Sequence, residues 1–551
     1  MRSRKKSKAA VTHSPVAPKR PFLQAICASA AVYWSGLSQR CRTVLFLLAL
    51  LGGLSAWLLP VSVGRLIDGD EGYLLMAARL VSEGQVPYRD FFLPQGPLLP
   101  AFFGVYFWGL GRSWLGARLL AGAIAIAMGW LVYRESLAAT RRQTAALFAT
   151  ALFAFSGASI GWLTIVKGYG LSALWVLASL PLIGSVVREP TPPIEGRHTS
   201  LAVAGVGVLM GLAASTRLYA LLLMPTLAVY LVARLGRNRL TVRRLGYFAL
   251  GCFFGLLPLS VSCAVDSKAF LFDTIHFHAV REFGQDSLLG SATEKMPAFL
   301  RALGLHPEAS LGGRQLMGLA IVAMMALLFR IRPRNTYGSA AACVWPVLLV
   351  ASALPNPFHA QYLCMLVPFL AIEGGILLAV LLDICHQQRN HLRSLGVAVC
   401  ALIYLSYHLG VGWLERDRYL HTGEGVPGVW SSDRVSKWQI ENVESAAKAI
   451  DSLYIPVAAS WWPGYFVSTR TSIIPALAND FGLRAADVLS PEERRRLHIA
   501  SLAEVGEMIR QHNPRLFVEG NWAASPWVTW LPQYGYQIRR TGPDVRLWTV
   551  E

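Results

Sequence analysis

Arg65-Leu-Ile-Asp68-Gly-Asp70-Glu71-Gly-Tyr73-Leu-Leu-Met-Ala-Ala-Arg79-Leu-Val-Ser-Glu83-Gly84 follows directly on a long apolar run over 43–64. Such a run is long enough to cross a hydrocarbon core of about 30 Å at about 1.5 Å per residue. Asp68, Asp70 and Glu71 therefore stand at the lipid–water boundary. A carboxylate there loses hydration, so it is expected to have a partner or a chemical task. Two readings stay open. The acids can cap and solvate an interfacial helix, since negative charge favours a helix N-terminus. Alternatively, one of them is a base that reaches an acceptor hydroxyl and a lipid head group together, the geometry needed to displace a lipid phosphate from a sugar carbon.

The rest of the chain sets this stretch in a membrane. Of 551 residues, 54% are hydrophobic and 15% charged, with a mean hydropathy of +0.43. A soluble chain carries roughly 25% charged residues. These values exclude a disordered chain, a fibrous protein and a soluble nucleic-acid binder. Apolar runs recur at 43–64, 114–133, 144–163, 168–187, 200–216, 218–233, 246–264, 315–329, 337–354, 358–384 and 395–413. The segment 98–111, shorter and rich in Gly and Pro, is read as re-entrant or half-length. The expected fold class is an α-helical polytopic membrane protein of about 11–13 transmembrane helices, with a small C-terminal α/β domain.

Charge gives the orientation. The net charge is +19, and basic loops stay on the cytoplasmic side. The segments assigned there are the basic tail 1–42 and the loops around Arg134/Arg141/Arg142, the 188–197 linker, Arg234–Arg244, Arg330–Arg334 and Arg389/Arg393. Together they carry +20, and everything else carries −1. The basic balance is thus topological, and no nucleic-acid partner is expected. The domains are read as 1–42, a cytoplasmic tail; 43–413, the membrane domain with outer loops 65–97 and 265–314; and 414–551, an extracytoplasmic domain. In the last, helices are expected over 437–451 and 491–511 and strands over 456–460, 515–519 and 545–550. Eight cysteines, none after Cys400, show no metal-ligand spacing and no legible disulfide framework.

Asp70-Glu71-Gly-Tyr73, Ala78-Arg79-Leu80…Glu83-Gly84, Pro94-Gln95-Gly96-Pro97, Tyr106-Phe107…Gly109-Leu110-Gly111 and Ala117-Arg118-Leu119 occur in that order after the first span. Over about residues 40–265 the chain resembles the GT-C glycosyltransferases, among them the bacterial aminoarabinose transferases and the protein O-mannosyltransferase-like group. His359-Ala-Gln-Tyr362…Val367-Pro368 is similar to a late motif of the same proteins. The resemblance implies an inner-membrane transferase with a polyprenyl-phosphate sugar donor and a cell-envelope acceptor. It implies Asp70 as general base, with Asp68 as rival, and Glu71 as a group that orients the acceptor or helps to bind a cation. A transporter or flippase, and a non-catalytic scaffold with this fold, remain alternatives. Two departures stand out. The Glu-Lys of the aminoarabinose transferases falls on Gln95-Gly96, and their later outer-face Asp falls near Lys167-Gly-Tyr169. The metal is therefore unassigned, with a divalent cation left open.

A donor phosphate calls for cations, preferably Arg. Candidates are Lys167, Arg217, Arg281 and His359, with Tyr362. Lys167 can equally be a snorkelling lysine, and Arg217 a lipid anchor. The prolines before His359 can simply end the preceding helix. Tyr73, Tyr88, Gln95, His276 and His278 are candidate substrate contacts. The i,i+2 histidines suit a metal pair on a strand, but no third ligand lies nearby. Interfacial anchoring within a partly helical 265–300 is the plainer reading. Trp461-Trp462-Pro-Gly-Tyr465 is an aromatic cluster for an acceptor sugar or for a small core.

Overall fold

A computed structural model describes residues 38–187, 197–280, 288–330, 339–355, 358–387, 391–421, 440–520, 525–541 and 545–551. Arg281 lies outside them. The chain divides into two compact units, Met1–Gly53 and Leu54–Glu551. The described part of the first is the opening of the helix Gln39–Gly64. Apart from that helix, all that follows concerns the second.

Among the described residues, eight helices are long and apolar enough to cross a membrane: Gln39–Gly64, Trp114–Thr140, Gly168–Val187, His198–Thr216, Leu218–Leu235, Leu311–Phe329, Ala360–Gln387 and His391–Leu420. Arg239–Gly255 and Leu257–Val265, bent by 49°, form a ninth if taken as one span. The helices Arg197–Thr216 and Arg239–Gly255 approach closely because their facing positions lack side chains. A Cβ on Gly207 would lie 2.2 Å from the Phe248 carbonyl, and one on Gly251 2.0 Å from that of Ala204. Small residues let backbones meet where lipid offers no hydrophobic drive between helices.

Two expected crossings are shorter or broken, and the segment read as re-entrant or half-length is indeed short. The 98–111 segment is a 13-residue helix, Leu98–Leu110, about 20 Å long and too short for the core. The 337–354 run narrows to Ala341–Ala353 in the described part. The 144–163 run is two helices, Gln143–Ala154 and Gly157–Trp162, broken at Phe155-Ser156. The break survives in an apolar setting because Gln315 satisfies both sides of it. Its Nε2 donates to the Phe155 carbonyl at 2.9 Å and its Oε1 accepts from the Gly157 N–H at 2.8 Å. The Ser156-Gly157 pair was the overlooked signal. The last long helix runs to His421, past the expected end at 413.

The C-terminal region is α/β. Its sheet order is β2-β1-β3-β5-β4, with β1 Val457–Ser460, β2 Ser472–Ile473, β3 Leu516–Gly520, β4 Gln537–Thr541 and β5 Val545–Thr549. β1 runs parallel to β2 and β3, and β5 antiparallel to β3 and β4. β1, β3 and β5 were expected. β2 is too short to show an alternation, and β4 is a polar edge strand whose register shifts between Ile538 and Arg540. The helix Ile440–Asp451 matches the expectation, whereas 491–511 splits into Pro491–Arg496 and Leu502–Arg510. The second piece starts at its own capping box, Ser501 with Glu504.

This region is fastened to the 65–97 segment. Arg79, only 1% exposed, donates to the Phe466 carbonyl, to Thr469 Oγ1 at 3.1 Å and to the Thr471 carbonyl at 3.0 Å. Trp462 Nε1 donates to the Gly69 carbonyl at 2.9 Å. Its indole lies where a Cβ on Gly72 would sit. Trp462 is thus a buried wedge, stacked on Trp114, and not a free ring for a sugar.

Candidate active site

The interfacial helix Gly69–Ser82 begins at Asp68, whose side chain accepts the Asp70 N–H at 3.0 Å. Glu71 Oε2 accepts the Asp68 N–H at 2.9 Å, which completes a capping box. Glu71 is fully buried and does more. Its Oε1 accepts the Val166 N–H at 3.0 Å, and Arg118 Nη2 donates to its Oε2 at 2.6 Å. The same guanidinium donates to the carbonyls of Ser62, Arg65 and Leu66 at 2.6, 3.2 and 3.3 Å. Arg118 therefore ties the end of the first span to the start of the interfacial helix. Glu71 has no free lone pair facing solvent. The capping reading holds for Asp68 and Glu71, and Asp70 stands outside the cap.

Asp70 points elsewhere. Its side chain is 27% exposed, against 2% for Asp68 and 0% for Glu71. Lys167 Nζ lies 2.9 Å from Asp68 Oδ1 and 2.9 Å from Asp70 Oδ2, and also donates to Gln361 Oε1. Lys167 is 3% exposed, so it is not snorkelling. Burial raises the Asp68 carboxyl to about 6, despite Lys167. Burial pushes on Asp70 too, but Lys167, Arg217 and His359 outweigh it and hold Asp70 below the usual carboxylate range. The pair shares one ammonium, and the first proton goes to Asp68.

Arg217 lies close enough to Asp70 to act on its charge. Its guanidinium sits over the Tyr169 ring at 4.0 Å, and Tyr73, Tyr219 and Tyr362 are close enough to act on its charge. A Cβ on Gly168 would come within 2.7 Å of Arg217 Nε. That glycine is what lets the arginine lie against the start of the Gly168–Val187 helix. The buried Nε has no hydrogen-bond partner among the described residues. His359 is exposed and lies edge-on to Tyr362. Tyr362 is largely buried, 6.1 Å from Tyr169 between ring centres.

Gln95 Nε2 donates to the Tyr73 hydroxyl at 2.7 Å, and the Tyr88 hydroxyl donates to the Gln95 carbonyl at 2.6 Å. Gln95 Oε1 is buried without a partner among the described residues. Tyr88 itself is a buried packing residue at φ 70°, not a surface contact. A Cβ on Gly96 would lie 2.3 Å from the Ser215 carbonyl. The two histidines part company because residues 272–280 are helical rather than a strand. His276 is exposed, while His278 Nε2 meets the Pro94 carbonyl at 2.9 Å. No metal pair can form there.

Sequence reasoning missed four groups. Gln361 holds Lys167, and Tyr169 and Tyr219 cage Arg217. Asp480, beside its helix cap Asn479, comes from the C-terminal region and acts electrostatically on Asp70 and Tyr73. Burial raises its carboxyl to about 7. Gln361 was inside the His359–Tyr362 motif and was legible. Asp480 is hundreds of residues from its neighbours in sequence and was not.

No protein-family model and no curated protein sequence matches the chain. Solved structures do. ArnT from Cupriavidus metallidurans bound to undecaprenyl phosphate superposes with a TM-score of 0.59 at 14% identity, over 93% of this chain and 98% of that one. This chain has the GT-C glycosyltransferase fold. The oligosaccharyltransferase AglB from Archaeoglobus fulgidus, with an inhibitory peptide and dolichol phosphate, gives a TM-score of 0.52 at 12% identity, over 86% of this chain and 69% of that one. AglB has also been solved with zinc and sulfate, at a TM-score of 0.51 and 13% identity over 91% and 73% of the two chains. The GT-C site described here does not fit a zinc. No three His, Cys, Asp or Glu side chains converge among the described residues, and the Asp68 and Asp70 oxygens that face one another already hold the Lys167 ammonium.

Proposed function

We propose that the chain is a membrane glycosyltransferase that moves a sugar from a polyprenyl-phosphate donor to an acceptor hydroxyl on a lipid, glycan or protein. One observation carries the reading. Asp70, a partly exposed carboxylate of the first outer loop outside the helix cap, lies close enough to Arg217 for the two charges to interact, and the buried Nε of that half-buried arginine has no hydrogen-bond partner among the described residues. A base beside an anion-binding cation is what a displacement at a sugar–phosphate bond requires.

Asp70 takes the acceptor proton as the hydroxyl oxygen attacks the anomeric carbon. The bond from that carbon to the lipid phosphate oxygen breaks, and the configuration inverts. The leaving phosphate carries its charge to Arg217 and His359. Glu71 and Arg118 hold the helix start, so their part is positional. Asp480 and the Tyr73–Phe481 edge contact at 5.1 Å form the acceptor side. The positive-inside rule puts the N-terminus in the cytoplasm of a bacterial cell and this site, with the C-terminal region, on the outer face of the inner membrane.

The test is Asp70→Asn. Transfer from a polyprenyl-phosphate sugar should vanish while expression, membrane insertion and donor binding persist. Retention of most activity would overturn the assignment. Lipid and glycan profiling of a deletion strain would name the sugar and acceptor.

A further inference from the structure

We propose that Lys167 is the resident cation of this site and takes the position between Asp68 and Asp70 that a divalent ion would need, so that the two carboxylates work without metal. The inference rests on the reading of Asp70 as the working carboxylate.

Three observations support it. The ammonium has three protons, and three acceptors lie around it: Asp68 Oδ1 and Asp70 Oδ2, each at 2.9 Å, and Gln361 Oε1. Nothing is left over for a phosphate oxygen without giving up one of these. The Nζ also lies over the Trp162 ring, 4.8 Å from its centre, which closes the remaining side of a 3% exposed residue. A metal bound to the same two oxygens would sit about 2.0–2.2 Å from each. Its position and the ammonium's would overlap, so the two exclude one another.

The arrangement has a chemical consequence. A divalent ion would bind the lone pairs of Asp70 and compete with its service as a base. An ammonium hydrogen-bonds one oxygen and leaves the other able to accept a proton. It neutralises the pair without withdrawing the carboxylate. The phosphate then depends on Arg217, and the two cations have separate tasks.

The test uses the full-length protein purified in detergent, with Mn²⁺ as the probe. The wild type should hold no stoichiometric metal and should leave the electron paramagnetic resonance signal of added Mn²⁺ unchanged. Lys167→Met keeps the stem and removes the charge, and Lys167→Ala opens the space. At least one of them should gain one Mn²⁺ per chain, and adding Asp68→Asn and Asp70→Asn should remove it. EDTA should leave wild-type turnover unchanged. Mn²⁺ binding by the wild type that is lost in Asp68→Asn/Asp70→Asn would overturn the proposal. So would folded Lys167 variants that bind no better than wild type. If neither variant folds, the wild-type metal content and the EDTA response still decide. A protein with this metal pattern and no transferase activity would instead sink the functional reading and leave Lys167 as assigned.

Discussion

The segments 65–97 and 265–280 carry similar residues and use them in opposite ways. Both hold acids and aromatics beside the membrane, and both looked chemical. In 65–97, Asp70 keeps a partly exposed carboxylate outside the helix cap. In 265–280, the inward-pointing side chains mostly bond to main chain, with Asp273 Oδ1 buried and without a hydrogen-bond partner among the described residues. Asp273 Oδ2 accepts the Leu93 N–H at 2.8 Å, His278 meets the Pro94 carbonyl, and Phe277 packs edge-on to Phe92. Burial raises the Asp273 carboxyl well above its usual range, and its Oδ2 braces the Leu93 backbone. The second segment holds the first in shape. What separates a working residue from a packing residue is unspent hydrogen-bonding capacity with access to solvent, and residue type alone does not reveal it.

Variants can break or sharpen that contrast. The largest effect is expected from Asp70→Asn, a loss of about 10²–10⁴-fold in turnover, the usual worth of a positioned base. His276→Ala, assayed alongside, should change nothing. Glu71→Ala should act on stability instead, costing about 3–5 kcal/mol because it leaves the buried Arg118 charge unpaired. Thermal unfolding of the purified protein reads this, and an unshifted melting temperature would contradict the placement. Arg217→Ala should weaken binding of undecaprenyl phosphate by about 1.5–3 kcal/mol, the worth of a charged hydrogen bond, measured by titration of the detergent-solubilised protein. His278→Ala and Asp68→Asn should each cost only about 1 kcal/mol of stability, since one neutral hydrogen bond is lost in the first and Asn also caps helices in the second.

A further test lies in the pH dependence. Asp480 has a folded value near 7, above its unfolded value. The folded chain therefore holds that proton longer. The stabilisation is full below about pH 4 and is lost as pH rises through about 7. Asp480→Asn should flatten this part of the stability–pH curve. A curve unchanged by the substitution would remove Asp480 from the acceptor side.

Much of this was legible beforehand, and the boundary is physical. Apolar runs encode spans locally, so the helices could be read directly. The acid cluster could be placed because it abuts one of those runs. The division of labour within the cluster could not, because Asp68, Asp70 and Glu71 differ only in distant partners: Lys167, Arg118 and the Val166 backbone. Arg79 and Arg118, read as marks of a family, proved to be rivets. Their acceptors are mostly main-chain carbonyls, and a carbonyl leaves no trace in a sequence. Gln315 escaped notice for the same reason, since what it satisfies is the broken backbone at Phe155 and Gly157.

Gly96 has one more implication. Its hydrogen faces the Ser215 carbonyl so closely that no side chain fits without moving the turn that carries Arg217. The Glu-Lys pair of the aminoarabinose transferases cannot be restored here by exchanging two residues. Any side chain at position 96 would therefore have to reshape the 215–217 turn at the same time. Gly96 sets how closely the 94–97 and 215–217 turns can nest.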